Sequence, residues 1–165
     1  MGELDEPNTL PIDPDLDREP SRARRPGAAL RVDVLAAISV GGALGASARY
    51  GVERAIPAAS DGFPWATFLI NVSGSLVLGV FLVVVLERLR PSRYLRPFVA
   101  TGFIGSFTTF STFAVETDLL IKDGHIATAA AYMVSTLTVG LLCAWLGVVI
   151  GRLLIGIDTH YRGTA

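Results

Sequence analysis

Apolar residues in this chain come in long unbroken runs. They show neither the alternation of a half-buried strand nor the one-sided stripe of a surface helix. No charged side chain occurs from Phe63 to Leu86, and none occurs from Ile126 to Gly151. Each run exceeds the ~20 residues with which a helix crosses the hydrocarbon of a bilayer. Two more apolar segments carry polar interruptions. The pattern predicts four spans: about Val32 to Ile56, with Arg49 and Glu53 near its end, about Trp65 to Leu86, about Pro97 to Leu120, and about Ile126 to Ile155. The connectors are short and hold turn or charge signals: Pro57 to Pro64, Glu87 to Arg96, and Lys122 to His125. In lipid a backbone must satisfy its own polar groups, which a helix does within one segment. The expected fold is an all-α membrane protein with four transmembrane helices, approximately 32–56, 65–88, 97–121 and 125–155, forming one unit over 32–156.

Residues 1–31 differ in kind. Acidic residues (Glu3, Asp5, Glu6, Asp13, Asp15, Asp17, Glu19) precede arginines (Arg18, Arg22, Arg24, Arg25), and five prolines punctuate the stretch. With few large apolar residues, nothing offsets the entropy of ordering, so a disordered charged tail is expected. No apolar core of a signal peptide occurs before residue 34. Residues 157–165 are expected to form a short C-terminal tail.

Composition agrees with a bilayer environment. The chain is 51% hydrophobic and only 18% charged, against roughly 25% charge in soluble domains. Net charge is −1, so nothing favours nucleic acid as a partner. Cys143 is the one cysteine, which excludes an internal disulfide or a thiol-rich metal site. Trp65, Tyr94 and Tyr161 sit near expected membrane interfaces. Small residues at Gly41, Gly42 and Gly45, at Ser75 and Gly79, and at Gly147 and Gly151 suit close helix contact. Basic residues are lopsided. With four spans, one side holds Arg24, Arg25, Arg31, Arg88, Arg90, Arg93, Arg96, Arg152 and Arg162, and the other only Arg54 and Lys122. By the positive-inside rule both termini are expected in the cytoplasm, with the chain in the plasma membrane.

Candidate chemistry concentrates in the third segment, which reads Thr101-Gly102-Phe103-Ile104-Gly105-Ser106-Phe107-Thr108-Thr109-Phe110-Ser111-Thr112-Phe113. One reading is a continuous helix whose hydroxyls bond back to carbonyls one turn earlier. The other is a break near Gly105 to Thr109, in the middle of the helix. A break leaves carbonyl oxygens free, an oxygen site for a hard cation. Asn71, deep in the second segment, must find partners. It can serve as an interhelical hydrogen-bonding group or as an NH2 donor aimed into an anion path. Arg49 is open between a snorkelling arginine at a helix end and a vestibule cation.

Several strings resemble the Fluc/CrcB fluoride channel family. Gly41 to Tyr50 resembles its GGxxGAxxRY start, Pro64 to Ser75 its second-helix motif, and Gly102 to Phe113 its GFxGGFTTFSTF signature. The resemblance covers roughly residues 34–155. It implies a passive fluoride-specific channel that lowers cytoplasmic fluoride, built as an antiparallel dimer with two pores and a central, untransported sodium ion. On the matching positions, Gly105 and Thr108 would give backbone carbonyls to the sodium. Phe110 and Phe113 would line the pores with ring edges, Asn71 would donate to fluoride, and Arg49 would stand in the vestibule. Thr67, Ser111, Thr112, Tyr132 and Thr136 are further pore-lining candidates. Ser106 replaces the second glycine of the signature and Ala66 a frequent glycine before Thr67. Were positive φ needed at position 106, serine would weaken the sodium site.

Two other classes compete with this one. A small four-helix proton-coupled multidrug antiporter needs a membrane carboxylate; Glu116 and Asp118 lie near one end of the third segment, and the first segment has only Asp33 and Glu53 near its ends. A non-conducting subunit of a heterodimer would move no ion. No catalytic constellation and no Walker A string occurs, so no enzyme is expected. The basic bias suggests a partner of opposite orientation: a related chain if insertion is committed, or a second copy if the bias is tolerated.

Overall fold

The computed structural model describes residues 32–57, 62–87 and 92–162. The charged stretch 1–31, residues 163–165 and parts of the first two connectors lie outside the described residues. Helix α1 spans Val32–Ala55 and α2 spans Trp65–Glu87. A π-helical stretch, Pro97–Ile104, leads into the single turn α3, Gly105–Phe107. Thr108 (φ −72, ψ 156) and Thr109 (φ −146, ψ 122) are extended, and helix resumes as α4, Phe110–Lys122. α5 runs from Ile126 to Arg162, so its backbone stays helical past residue 155. Four stretches are long and apolar enough to cross a membrane: Val32–Ala55, Trp65–Val85, Pro97–Lys122 and Ile126–Gly156. No strand occurs among the described residues.

The turn between α4 and α5 is tight for a local reason. Gly124 takes φ +83, a left-handed conformation that costs glycine nothing. It lets His125 N–H reach the Leu120 carbonyl at 2.8 Å and Gly124 N–H reach Ile121 at 3.1 Å. These two bonds satisfy carbonyls that the end of α4 would leave open.

Packing pairs α2 with α5, and α1 with the π-helical stretch and α3. Both interfaces depend on missing side chains. A Cβ on Gly79 would run into the Ala144 carbonyl, and one on Gly147 into that of Leu76. On the other pair, Gly41 and Gly45 lie against the Phe98 and Phe103 carbonyls. Backbones in such contact gain dispersion over their whole length, which is what binds helices where lipid is as apolar as leucine. Hydroxyls along the helices follow the same economy. Ser75, Thr117 and Thr138 donate back to the Asn71, Phe113 and Val134 carbonyls at 2.6–2.8 Å.

A small core gathers where α2 begins, α4 ends and α5 begins: Phe113, Leu120, Ala129 and Tyr132, with Phe63, Phe68 and Met133 packed on it. Elsewhere large apolar side chains face outward, Leu141, Leu142 and Trp145 among them. In water that surface would be costly; in a bilayer it faces acyl chains.

Candidate functional site

The site is built around the two extended residues. Their peptide is held by α2: Asn71 Nδ2 donates to the Thr109 carbonyl at 2.9 Å, and Thr109 N–H donates to Asn71 Oδ1 at 2.9 Å. Thr109, 6% exposed, caps α4. Its Oγ1 accepts from Thr112 N–H at 3.1 Å, donates to Thr112 Oγ1 at 3.0 Å, and lies 3.3 Å from Ser111 Oγ. Threonine is a strong N-cap because its oxygen reaches one of the four N–H groups a helix start leaves open. Thr108 turns inward on its own turn, with N–H and Oγ1 both donating to the Ile104 carbonyl.

An open groove of about 410 Å³ runs beside this junction. Asn71, Gly105, Thr108, Phe110, Phe113 and Thr136 all line it, with leucines of α2 and α5 making up the apolar wall. Phe110 is 77% exposed, while Phe113 is buried, its ring centroid 5.9 Å from that of Phe110. Thr136 Oγ1 is buried with no hydrogen-bond partner among the described residues. An orphaned hydroxyl is costly to bury, and this one belongs to a residue that lines the groove. Ser75, Thr108 and Thr109 already donate to protein oxygens, so the groove's polar surplus is the second amide hydrogen of Asn71 and the Thr136 hydroxyl, beside two phenylalanine rings; no side chain lining it is ionisable.

Thr67 and Tyr132 lie elsewhere. Both are fully buried and both donate to Glu116: Thr67 Oγ1 to Oε1 at 2.9 Å and Tyr132 Oη to Oε2 at 2.7 Å. The carboxylate thus ties α2, α4 and α5 together. Phe113 connects this cluster to the groove, since its ring packs on Tyr132 with centroids 5.1 Å apart. Ser111 and Thr112 gather at the Thr109 cap. Arg49 stands apart on α1, 3.8 Å from Glu53 one turn on. Of the residues singled out from sequence, the groove therefore collects Asn71, Phe110, Phe113, Thr136, Gly105 and Thr108. From sequence alone Glu116 reads only as a candidate proton carrier. Its pairing had a signal in depth: from the membrane face shared by the start of α2, the end of α4 and the start of α5, Thr67, Glu116 and Tyr132 lie within about two turns.

The backbone also decides what position 106 demands. No described non-glycine residue has positive φ, and Ser106 lies in the helical turn α3. Its Oγ faces Gly42 of α1, where a Cβ would come within 3.2 Å. A serine fits because the opposing residue has no side chain.

A family model described as "CrcB-like protein, Camphor Resistance (CrcB)" matches residues 36–148, most of the chain and all four spans. The chain belongs to the CrcB-like family. Among its CrcB-like relatives, "Fluoride-specific ion channel FluC 3" of Streptomyces avermitilis is 51% identical over 124 residues, 75% of this chain and 61% of the relative. "Fluoride-specific ion channel FluC 1" of Streptomyces coelicolor is 43% identical over 74% of this chain and 79% of its own length. "Fluoride-specific ion channel FluC 1" of Mycobacterium tuberculosis is 48% identical over 72% of this chain and 89% of its own length. The chain thus spans less than two thirds of the first relative and most of the other two.

Proposed function

We propose that this chain is a subunit of a fluoride-specific channel that lets cytoplasmic fluoride leave passively, and so lowers fluoride toxicity. The observation that carries the reading is the groove: hydrogen-bond donors without fixed charge, an orphaned Thr136 hydroxyl and two phenylalanine rings, beside a helix interrupted at mid-span. The names of its relatives support it. Fluoride is small and strongly hydrated. A pore must replace its water with donors, yet hold it weakly enough to release it. Amide and hydroxyl hydrogens and the positive edges of aromatic rings do this without the deep well of a lysine or arginine. In this reading Asn71, through the amide hydrogen not spent on Thr109, Thr136, Phe110 and Phe113 face the ion. Thr67, Tyr132, Ser111 and Thr112 support the path, and Arg49 attracts anions at its mouth.

The groove of one chain is open, and a partner of opposite orientation would close it. The functional unit is an antiparallel dimer with a structural sodium ion at its centre, held by the Gly105 and Thr108 carbonyls. The residues suit a hard cation. Gly105 opens the single turn α3 and Thr108 caps it, beyond which the helical ladder stops, and Gly105 is exposed. When bound, sodium supplies only charge and ligand geometry; the chain supplies oxygen. The arginine bias favours cytoplasmic termini and a related chain of opposite bias as the partner.

Glu116 is the feature that favours proton-coupled exchange, since transporters use membrane carboxylates this way. Efflux from vesicles of the purified chain separates the two. Fluoride should leave only when a potassium ionophore relieves the charge it carries, and with no pH gradient imposed. Efflux that requires a pH gradient and ignores the ionophore would overturn the channel reading.

A further inference from the structure

Building on the sodium reading, we propose that Asn71 and Thr109 are positioning residues for that cation. Their side chains take the two backbone N–H groups that a continuous helix would direct at the Gly105 and Thr108 carbonyls. In an α-helix each N–H donates to the carbonyl four residues earlier. Thr109 N–H would thus cover the Gly105 oxygen, and Thr112 N–H the Thr108 oxygen. Thr109 N–H goes instead to Asn71 Oδ1, at 2.9 Å, and Thr112 N–H to Thr109 Oγ1, at 3.1 Å. Each diverted donor releases one of the two oxygens.

The diversion is built from different elements, which makes it specific. Asn71 acts from α2, 38 residues away, and holds both polar groups of Thr109, accepting from its N–H and donating to its carbonyl. Thr109 acts within its own turn, and its donation to Thr112 Oγ1 fixes the orientation of the cap. Thr109 is buried and Asn71 half-buried, a setting in which an amide N–H without a partner is expensive. Without Asn71 Oδ1, the cheapest remedy for Thr109 N–H is the helical ladder, which closes over the Gly105 oxygen. The amide of Asn71 therefore has two tasks: it holds the break open, and it lines the groove.

The test uses the full chain purified as a dimer. Its thermal unfolding midpoint is measured against sodium concentration, with N-methylglucamine holding ionic strength constant. Ligand that binds only the folded state raises the midpoint by mass action. The wild-type midpoint should rise with sodium. Asn71→Leu and Thr109→Val should each need about tenfold more sodium or beyond for the same rise, the size expected for one lost buried hydrogen bond. Thr109→Ser, which keeps the hydroxyl, should restore the wild-type response. Asn71→Asp keeps an acceptor for Thr109 N–H, so it should keep the sodium response while losing fluoride flux. Should Asn71→Leu fail to fold, the Thr109→Val and Thr109→Ser pair carries the comparison. Folded Asn71→Leu and Thr109→Val with the wild-type sodium response would overturn the positioning role and leave the site reading intact. A wild-type midpoint indifferent to sodium would overturn both.

Discussion

At the residue scale the two phenylalanines differ in what a substitution does. Phe110 is largely exposed at the groove and lies outside the small core. Phe110→Ile keeps an apolar side chain of similar reach but removes the ring edge. Flux should fall about tenfold or more, equivalent to about 1.4 kcal/mol of lost barrier stabilisation, with dimer assembly and unfolding midpoint unchanged. Phe113 is buried against Tyr132, so Phe113→Ile should lower both flux and the midpoint. Fluoride efflux beside thermal unfolding checks the pair, and wild-type efflux in Phe110→Ile would return that ring to packing. The alternation of hydroxyls and rings from Thr108 to Phe113 was legible as chemistry because lipid gives a helix no reason to carry it. The clamp between Asn71 and Thr109 was not, since no local pattern links residues 38 apart. Nor could spacing tell that one hydrogen of Asn71 is spent on backbone.

At the element scale, Glu116 joins three helices through two hydroxyls. Glu116→Leu would leave Thr67 Oγ1 and Tyr132 Oη buried without their acceptor, at about 1–3 kcal/mol each. The unfolding midpoint should fall clearly. Adding Thr67→Val and Tyr132→Phe removes the stranded donors, and the triple variant should recover part of the loss. A triple variant as unstable as Glu116→Leu alone would show that the carboxylate stabilises by another route. The four spans themselves were legible, two as uncharged runs of a length with few other uses and two as apolar segments with polar interruptions. The glycines were legible as small but not as partners: Gly79 against Ala144 and Gly45 against Phe103 are long-range facts. The π-helical stretch at Pro97–Ile104 has no counterpart in the apolar pattern, which reads the same for either helix type.

At the scale of the whole molecule, the proposed partner rests on an open groove and a charge bias. A single chain leaves its groove open and Phe110 uncovered, and its arginines favour one insertion direction. In a Cys143→Ala background, Ser60→Cys should label only from outside intact cells and Ser92→Cys only from inside. Labelling of both positions from both sides would mean that this chain inserts both ways and pairs with itself. In the proposed reading solubilised chains, freed of that bias, assemble in opposed orientations, so conduction is measured after reconstitution. The direct measurement is anion efflux from liposomes holding only this purified chain, followed with fluoride and chloride electrodes under a potassium ionophore. Fluoride should empty rapidly while chloride stays trapped. Retained fluoride, or chloride leaving at a comparable rate, would contradict a fluoride-specific channel.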